Sequence, residues 1–170
     1  MRCILGFDWQ LHDLATFCNQ PEEFTIFGAD PTFNLGKFNV TVTTYRNLKI
    51  LDRVSGNHPI MIGPMLISQT KSFDAYNYFF SKMLSINKNT RGILAFGNDG
   101  EEELYLAMRF SFPHAIHVRC FNHFRDNCKE QLKSSNVPEE TQKDFLADLF
   151  ARRIGDTLEK GKLLRATEKC

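Results

Sequence analysis

The chain has 170 residues, of which 42% are hydrophobic and 24% charged. That length suits one domain with a buried core, and the ordinary composition excludes collagen-like, coiled-coil and wholly disordered proteins. Because 21 Lys and Arg face 20 Asp and Glu, the formal net charge is only +1, and the basic excess of a dedicated nucleic-acid-binding protein is missing.

The first half of the chain predicts one short helix and then three strands. Leu11, Leu14 and Cys18 recur at helical spacing. The strands follow in quick succession, which favours an antiparallel meander, and the third is so apolar that it predicts burial on both faces. The predicted bounds are residues 10–19 for the helix and 24–33, 37–50 and 59–68 for the strands.

The second half predicts helices that alternate with short strands. Ser72 can cap a helix whose apolar stripe begins at Phe73 and reaches Leu84. The later strands are predicted at 92–96 and 115–120, and the later helices at 101–110, from 121, and at 139–159 with Ile154 and Leu158 on its apolar face. The fold class is therefore α/β with a mixed sheet, three antiparallel strands followed by βαβα units and a C-terminal helical segment, which is the element order of the ribonuclease-H-like fold.

The cysteines and the N-terminus indicate an intracellular protein. There are five cysteines, an odd number, and residues 1–6 do not form a signal peptide. Reduced thiols are therefore expected, and since no apolar run approaches about 18 residues, no membrane partner is expected.

Two aspartates lie at the ends of predicted strands that we expect to be neighbours in the sheet. Asp30 precedes Pro31 at the end of the first strand, and Asp99 comes just after the fourth. Paired carboxylates suit Mg²⁺ or Mn²⁺, and two such ions can bind the attacking and leaving oxygens of a phosphodiester. The alternatives are that Asp30 shapes a turn and that Asp99 caps the next helix with Glu102 in a capping box.

Three motifs resemble those of Mutator-like (MULE) transposases. Asp30-Pro31-Thr32-Phe33 is similar to the first catalytic motif of that family, and Asn98-Asp99-Gly100-Glu101 is similar to the second. Cys120-Phe121-Asn122-His123 resembles the family's Cys-x-x-His motif after its fifth strand. The three occur in order on the predicted elements, and the resemblance covers about residues 22 to 155.

The resemblance implies a ribonuclease-H-like catalytic domain that binds divalent metal through an Asp-Asp-Glu triad and acts on DNA at transposon ends and target sites. Asp30 and Asp99 would be the first two acids. A nuclear protein, possibly a homo-oligomer, is implied. The implied organisation is an N-terminal helical lead-in at 1–21, a partial catalytic core at 22–135, and the start of a helical insertion at 136–170.

The family's third acid is a Glu beyond that insertion, and we expect the chain to stop before it. Glu130 or Asp126, on the helix after the fifth strand, could substitute as in simpler integrase-like enzymes. Three functions stay open: a transposase catalytic domain inactive on its own, a relic or domesticated module that binds DNA or protein, and a metal-dependent nuclease that uses Glu130.

Two further groups of residues have weaker functional interpretations. Cys120 and His123 could bind zinc, together with His114 and His117, but three-residue spacing along a strand alternates faces, so packing near the active site is favoured. A mild basic strip could contact phosphate, although solvated surface charge is the default. The strip consists of Arg119, Arg125, Lys129 and Lys133.

Overall fold

The computed structural model describes residues 1–150, which fall into a first unit, Met1–Cys120, and a second unit that begins at Phe121. The first unit is a six-stranded sheet in the order β1-β4-β3-β2-β5-β6. Its strands are β1 (Arg2–Leu5), β2 (Phe27–Leu35), β3 (Phe38–Arg46), β4 (Ile60–Ser68), β5 (Ala95–Asn98) and β6 (Ile116–Arg119). Its helices are α1 (Asp8–Phe17), α2 (Phe73–Ile86) and α3 (Glu102–Ser111), with a 3₁₀ turn at Lys88–Gly92.

The first three predicted strands form the expected antiparallel meander. β2 pairs with β3 and β3 pairs with β4, both antiparallel. Leu35 faces Phe38 across a two-residue turn, where Gly36 has a φ of +61°, a value that favours glycine. The meander is thus built from hairpins between segments close in sequence.

The later strands add to the same sheet in parallel. β5 pairs with β2 after the α2 crossover, and β6 pairs with β5 after α3. The capping role of Ser72 is confirmed, since its hydroxyl accepts a hydrogen bond from the Ala75 amide at 3.4 Å. The predicted α/β class with a mixed sheet is therefore confirmed.

The core of the first unit lies between its helices and one face of the sheet. One buried cluster joins residues of α1, α2 and α3 to alternate residues of the strands. On the other face, Ile60 and Ile62 are 62% and 55% exposed, so the prediction that this strand is buried on both faces is wrong. The reason is that the helices of the first unit pack against one face of the sheet, which leaves Ile60 and Ile62 uncovered on the other face.

The N-terminal segment contains more structure than the expected helix. β1 pairs antiparallel with β4, placing Cys3 opposite Ile67. The helix begins at Asp8 rather than at residue 10, because the Gln10 side chain accepts a hydrogen bond from the Phe7 amide at 2.8 Å and closes the first turn.

The second unit contains two helices within the described residues. They are α4 (Phe121–Ser134) and α5 (Glu139–Phe150), where helices were predicted. Ile154, Leu158 and the tail from residue 161 lie outside the described residues. The four cysteines up to residue 150 are free thiols, and Cys170 also lies outside. No helix within residues 1–150 has both the length and the apolar character required to cross a bilayer.

Candidate functional site

Asp30 lies within β2 and not in a turn. It pairs with Val42 of β3, and the register of the two strands shifts between Asp30 and Phe33. Pro31 lies within this irregular segment, and it has no backbone N–H to donate to a hydrogen bond between the strands. The extended geometry expected for Asp30 is therefore confirmed, and the turn interpretation is wrong.

Asp99 immediately follows β5. Its Oδ1 accepts a hydrogen bond from the Glu101 amide at 3.0 Å, which stabilises the turn that contains Gly100 at a φ of +101°. The N-cap of α3 is Glu101, and no side chain caps this helix. The capping-box interpretation of Asp99 and Glu102 is therefore wrong, because the helix begins two residues later than that arrangement requires.

The strands that carry Asp30 and precede Asp99 are parallel neighbours in the sheet. Phe27 pairs with Phe96 and Gly28 with Gly97, an offset of 69 residues that would bring Asp30 opposite Asp99 if it continued for two more residues. Adjacent strands lie about 4.8 Å apart. The pairing itself covers Phe27 and Gly28, so the structure shows that β2 and β5 are adjacent and that Asp30 and Asp99 follow the paired residues at the same distance along each strand.

A partly buried set of polar contacts lies beside Asp99. The Tyr76 hydroxyl donates to Glu101 Oε1 at 2.6 Å, and the Lys71 ammonium is 3.5 Å from Glu101 Oε2. Burial, and then the neighbouring Glu101, raise the pKa of Tyr76, and the charge of Asp99 contributes in the same direction. Tyr76 thus stays protonated and serves as a fixed donor next to two acids.

These contacts between Tyr76, Glu101 and Lys71 were not predicted from the sequence. Tyr76 was predicted only as part of the apolar stripe of α2, and Glu101 only as part of a motif. The sequence offered one signal for a polar site here, Glu101 two residues after Asp99. Its hydrogen-bond partner Tyr76 lies 25 residues earlier, too far for a local pattern to connect the two.

A polar pocket of about 330 Å³ borders the same turn, lined by Gly100, Glu102, Tyr105, His117 and Arg119. The buried side chain of Asn98 orients His117: its Nδ2 donates to the Glu101 carbonyl at 3.2 Å, and its Oδ1 accepts from His117 Nε2 at 2.8 Å. Burial, together with Arg119 and Arg109, lowers the pKa of His117. The imidazole is therefore neutral, with its hydrogen on Nε2.

The Cys-x-x-His residues fall on both sides of the boundary between the units. Cys120 ends the first unit, and its amide donates to the Asn98 carbonyl at 2.9 Å. His123 lies in the first turn of α4 in the second unit, with its Nδ1 buried and without a hydrogen-bond partner among the described residues.

The proposed substitute acids and most of the basic strip lie on α4. Asp126 is 3.1 Å from the Lys129 ammonium in an exposed ion pair, and Arg125 is exposed. Glu130 lines a groove of about 310 Å³ between α4 and α5, together with Lys129 and Lys133. Each of these residues is thus placed within the second unit, whereas Asp30, Asp99 and Arg119 belong to the first.

Among residues 1–150, no group of three or more His, Cys, Asp or Glu side chains is arranged to hold a metal ion. Asp30 and Asp99 would offer carboxylate oxygens, the ligand type that a hard cation such as Mg²⁺ prefers. The chain matches no protein-family model and no curated protein.

Proposed function

We propose that the first unit is a ribonuclease-H-like catalytic domain for metal-dependent phosphodiester cleavage in DNA, of the kind found in MULE transposases. The observation that carries this proposal is the parallel pairing of β2 with β5, whose register, continued by two residues, would bring Asp30 opposite Asp99.

The topology around the pair supports the proposal. The strands β4-β3-β2-β5-β6 combine an antiparallel meander with two parallel additions, the arrangement expected of a ribonuclease-H-like sheet. Asp30 lies on the strand that joins the two parts, and Asp99 follows its parallel neighbour. Asp99 lies just beyond the carboxyl end of β5, the position at which open α/β sheets bind ligands.

The chemistry follows from the residue types. Mg²⁺ or Mn²⁺, when bound, would activate a hydroxyl nucleophile and stabilise the leaving oxygen. Asp30 and Asp99 would hold the cation, and the Glu101–Asp99 turn would keep the second carboxylate in place. Glu101 is already engaged by Tyr76 and Lys71, so it would position Asp99 rather than bind the cation.

The test is a nicking assay on duplex DNA with Mn²⁺. We expect metal-dependent nicking by the wild type and its loss in Asp30→Asn and Asp99→Asn. Asp74→Asn is the matched control, since this exposed aspartate lies on α2. Nicking that persists in both site variants would overturn the proposal.

A Glu130→Gln variant separates the two enzymatic alternatives. Loss of nicking in this variant would assign the third acid to Glu130 and favour the compact nuclease. Specific DNA binding without nicking by any form would favour a non-catalytic binding module.

A further inference from the structure

We propose that the pocket formed by Gly100, Glu102, Tyr105, His117 and Arg119 binds the nucleotide unit next to the scissile phosphate, with its base against Tyr105 and His117 and its phosphate on Arg119. This inference rests on the proposed function, because it assigns a subsite to the same nucleic-acid substrate.

The position of the pocket is the first argument. Gly100 is the residue after Asp99, and Arg119 pairs with Asn98, the residue before it. A Cβ on Gly100 would lie 3.8–3.9 Å from guanidinium atoms of Arg119, so this side chain lies directly against the turn that carries the acid. A strand whose phosphate reaches Asp99 would bring its neighbouring nucleotide to this pocket.

The charge of Arg119 is the second argument. Within residues 1–150 its guanidinium forms no ion pair with a carboxylate. Arg109, in contrast, donates to the Ala115 carbonyl at 3.0 Å. A planar guanidinium that is not paired with a carboxylate among the described residues suits bidentate binding of phosphate oxygens.

The aromatic wall is the third argument. Tyr105 and His117 have ring centroids 4.7 Å apart, and Phe96 lies 5.1 Å behind His117. This packing fixes both rings, and a fixed aromatic wall can stack any base.

The hydrogen-bonding groups fit the edge of a base. Because His117 Nε2 donates to Asn98, the neutral ring leaves Nδ1 as an acceptor. The Glu102 carboxylate adds a second acceptor for exocyclic amines. The pocket therefore combines a cation, an aromatic wall and acceptors, which match a phosphate, a base and its amino group.

The experiment measures fluorescence anisotropy of a short labelled single-stranded DNA with the full chain, in Ca²⁺ to prevent cleavage. We expect Arg119→Gln to weaken binding about tenfold and to reduce the slope of log K against log salt by about 0.7. Tyr105→Leu should weaken binding roughly tenfold, and Tyr105→Phe, which keeps the ring, should bind like the wild type. Arg91→Gln removes the same charge from the 3₁₀ turn and should have less than about a twofold effect.

Wild-type affinity and salt slope in both Arg119→Gln and Tyr105→Leu would overturn the pocket, as would the absence of any DNA binding by the wild type. The proposed function has its own readout, Mn²⁺ binding that is lost in Asp99→Asn. If the pocket variants bind DNA like the wild type while Mn²⁺ binding still depends on Asp99, this inference alone is refuted and the proposed function is not.

Discussion

The Tyr76 hydroxyl donates a hydrogen bond of 2.6 Å to Glu101, and Tyr45 donates one of 2.9 Å to Asp13. Both tyrosines are almost completely buried, with an exposed fraction of 0% for Tyr76 and 1% for Tyr45. The two bonds are alike in chemistry, but only the first lies beside Asp99.

Tyr76→Phe and Tyr45→Phe should therefore have similar effects on stability and different effects on the site. Each removes one hydrogen bond to a carboxylate, and we expect each to lower the free energy of unfolding by about 1 to 2 kcal/mol. Tyr76→Phe should also weaken Mn²⁺ binding, because Glu101 would no longer be fixed next to Asp99. Urea denaturation and metal titration check the two expectations, and equal metal affinity in both variants would contradict a positioning role for Tyr76.

Metal binding by the wild type should itself be weak. Two carboxylates supply few protein ligands, so we expect millimolar affinity, which corresponds to about −4 kcal/mol. Asp99→Asn should reduce binding below detection in titration calorimetry, and Asp74→Asn should not change it. Micromolar binding that survives Asp99→Asn would indicate a different site.

Gly28 should be intolerant of a side chain. It pairs with Thr44 of β3, and a Cβ at this position would collide with the Thr44 hydroxyl. We expect Gly28→Ala to lower the free energy of unfolding by about 1 to 3 kcal/mol, the usual cost of overpacking. Thr44→Ala in the same chain should recover most of this loss, which a double-mutant cycle measures. Strictly additive effects of the two substitutions would exclude the collision as the cause.

His117 should make the protein sensitive to mild acid. Because its pKa is lowered in the folded protein, the unfolded chain takes up a proton first as the pH falls. Its contribution is complete above the ordinary value of about 6.5 and is lost as the pH decreases from there toward the lower pKa of the folded state. Thermal unfolding at about pH 7.5 and about pH 5.5 should show a smaller acid-induced decrease in Tm for His117→Gln than for the wild type.

The exposed His12 provides the control for that comparison. His12→Gln should retain the acid sensitivity of the wild type. If both variants lost the same amount of stability as the wild type, the acid response would have to come from another group.

Elements with a strong local pattern could be predicted from the sequence. The Val, Thr and Tyr content of β3 and the apolar stripe of α2 each determine their own structure through neighbouring residues. β1, in contrast, has only four residues, and its strand conformation depends on pairing with the Met65–Ser68 end of β4. A local pattern cannot reveal such a partner.

The candidate site was predictable to the same limited extent. The predicted strand order implies that the strands of Asp30 and Asp99 are neighbours, and the pairing of β2 with β5 confirms that adjacency, while the approach of the two carboxylates stays a prediction. The state of His117 could not be predicted, because it depends on the orientation of the Asn98 amide 19 residues away. The face left open beside Ile60 and Ile62 could not be predicted either, since composition alone does not show how many layers cover a sheet.

The long offset between β2 and β5 has a consequence for the order of folding. The meander joins segments that are close in sequence, whereas β2 pairs with β5 only after a loop of 69 residues has closed. Short loops close at lower entropic cost, so we expect the β2–β3–β4 hairpins to form first and the acidic pair to assemble last. A nascent or partly folded chain would then carry Asp30 before β5 has docked beside it, and the proposed cleavage of DNA would require molecules that have completed the crossover.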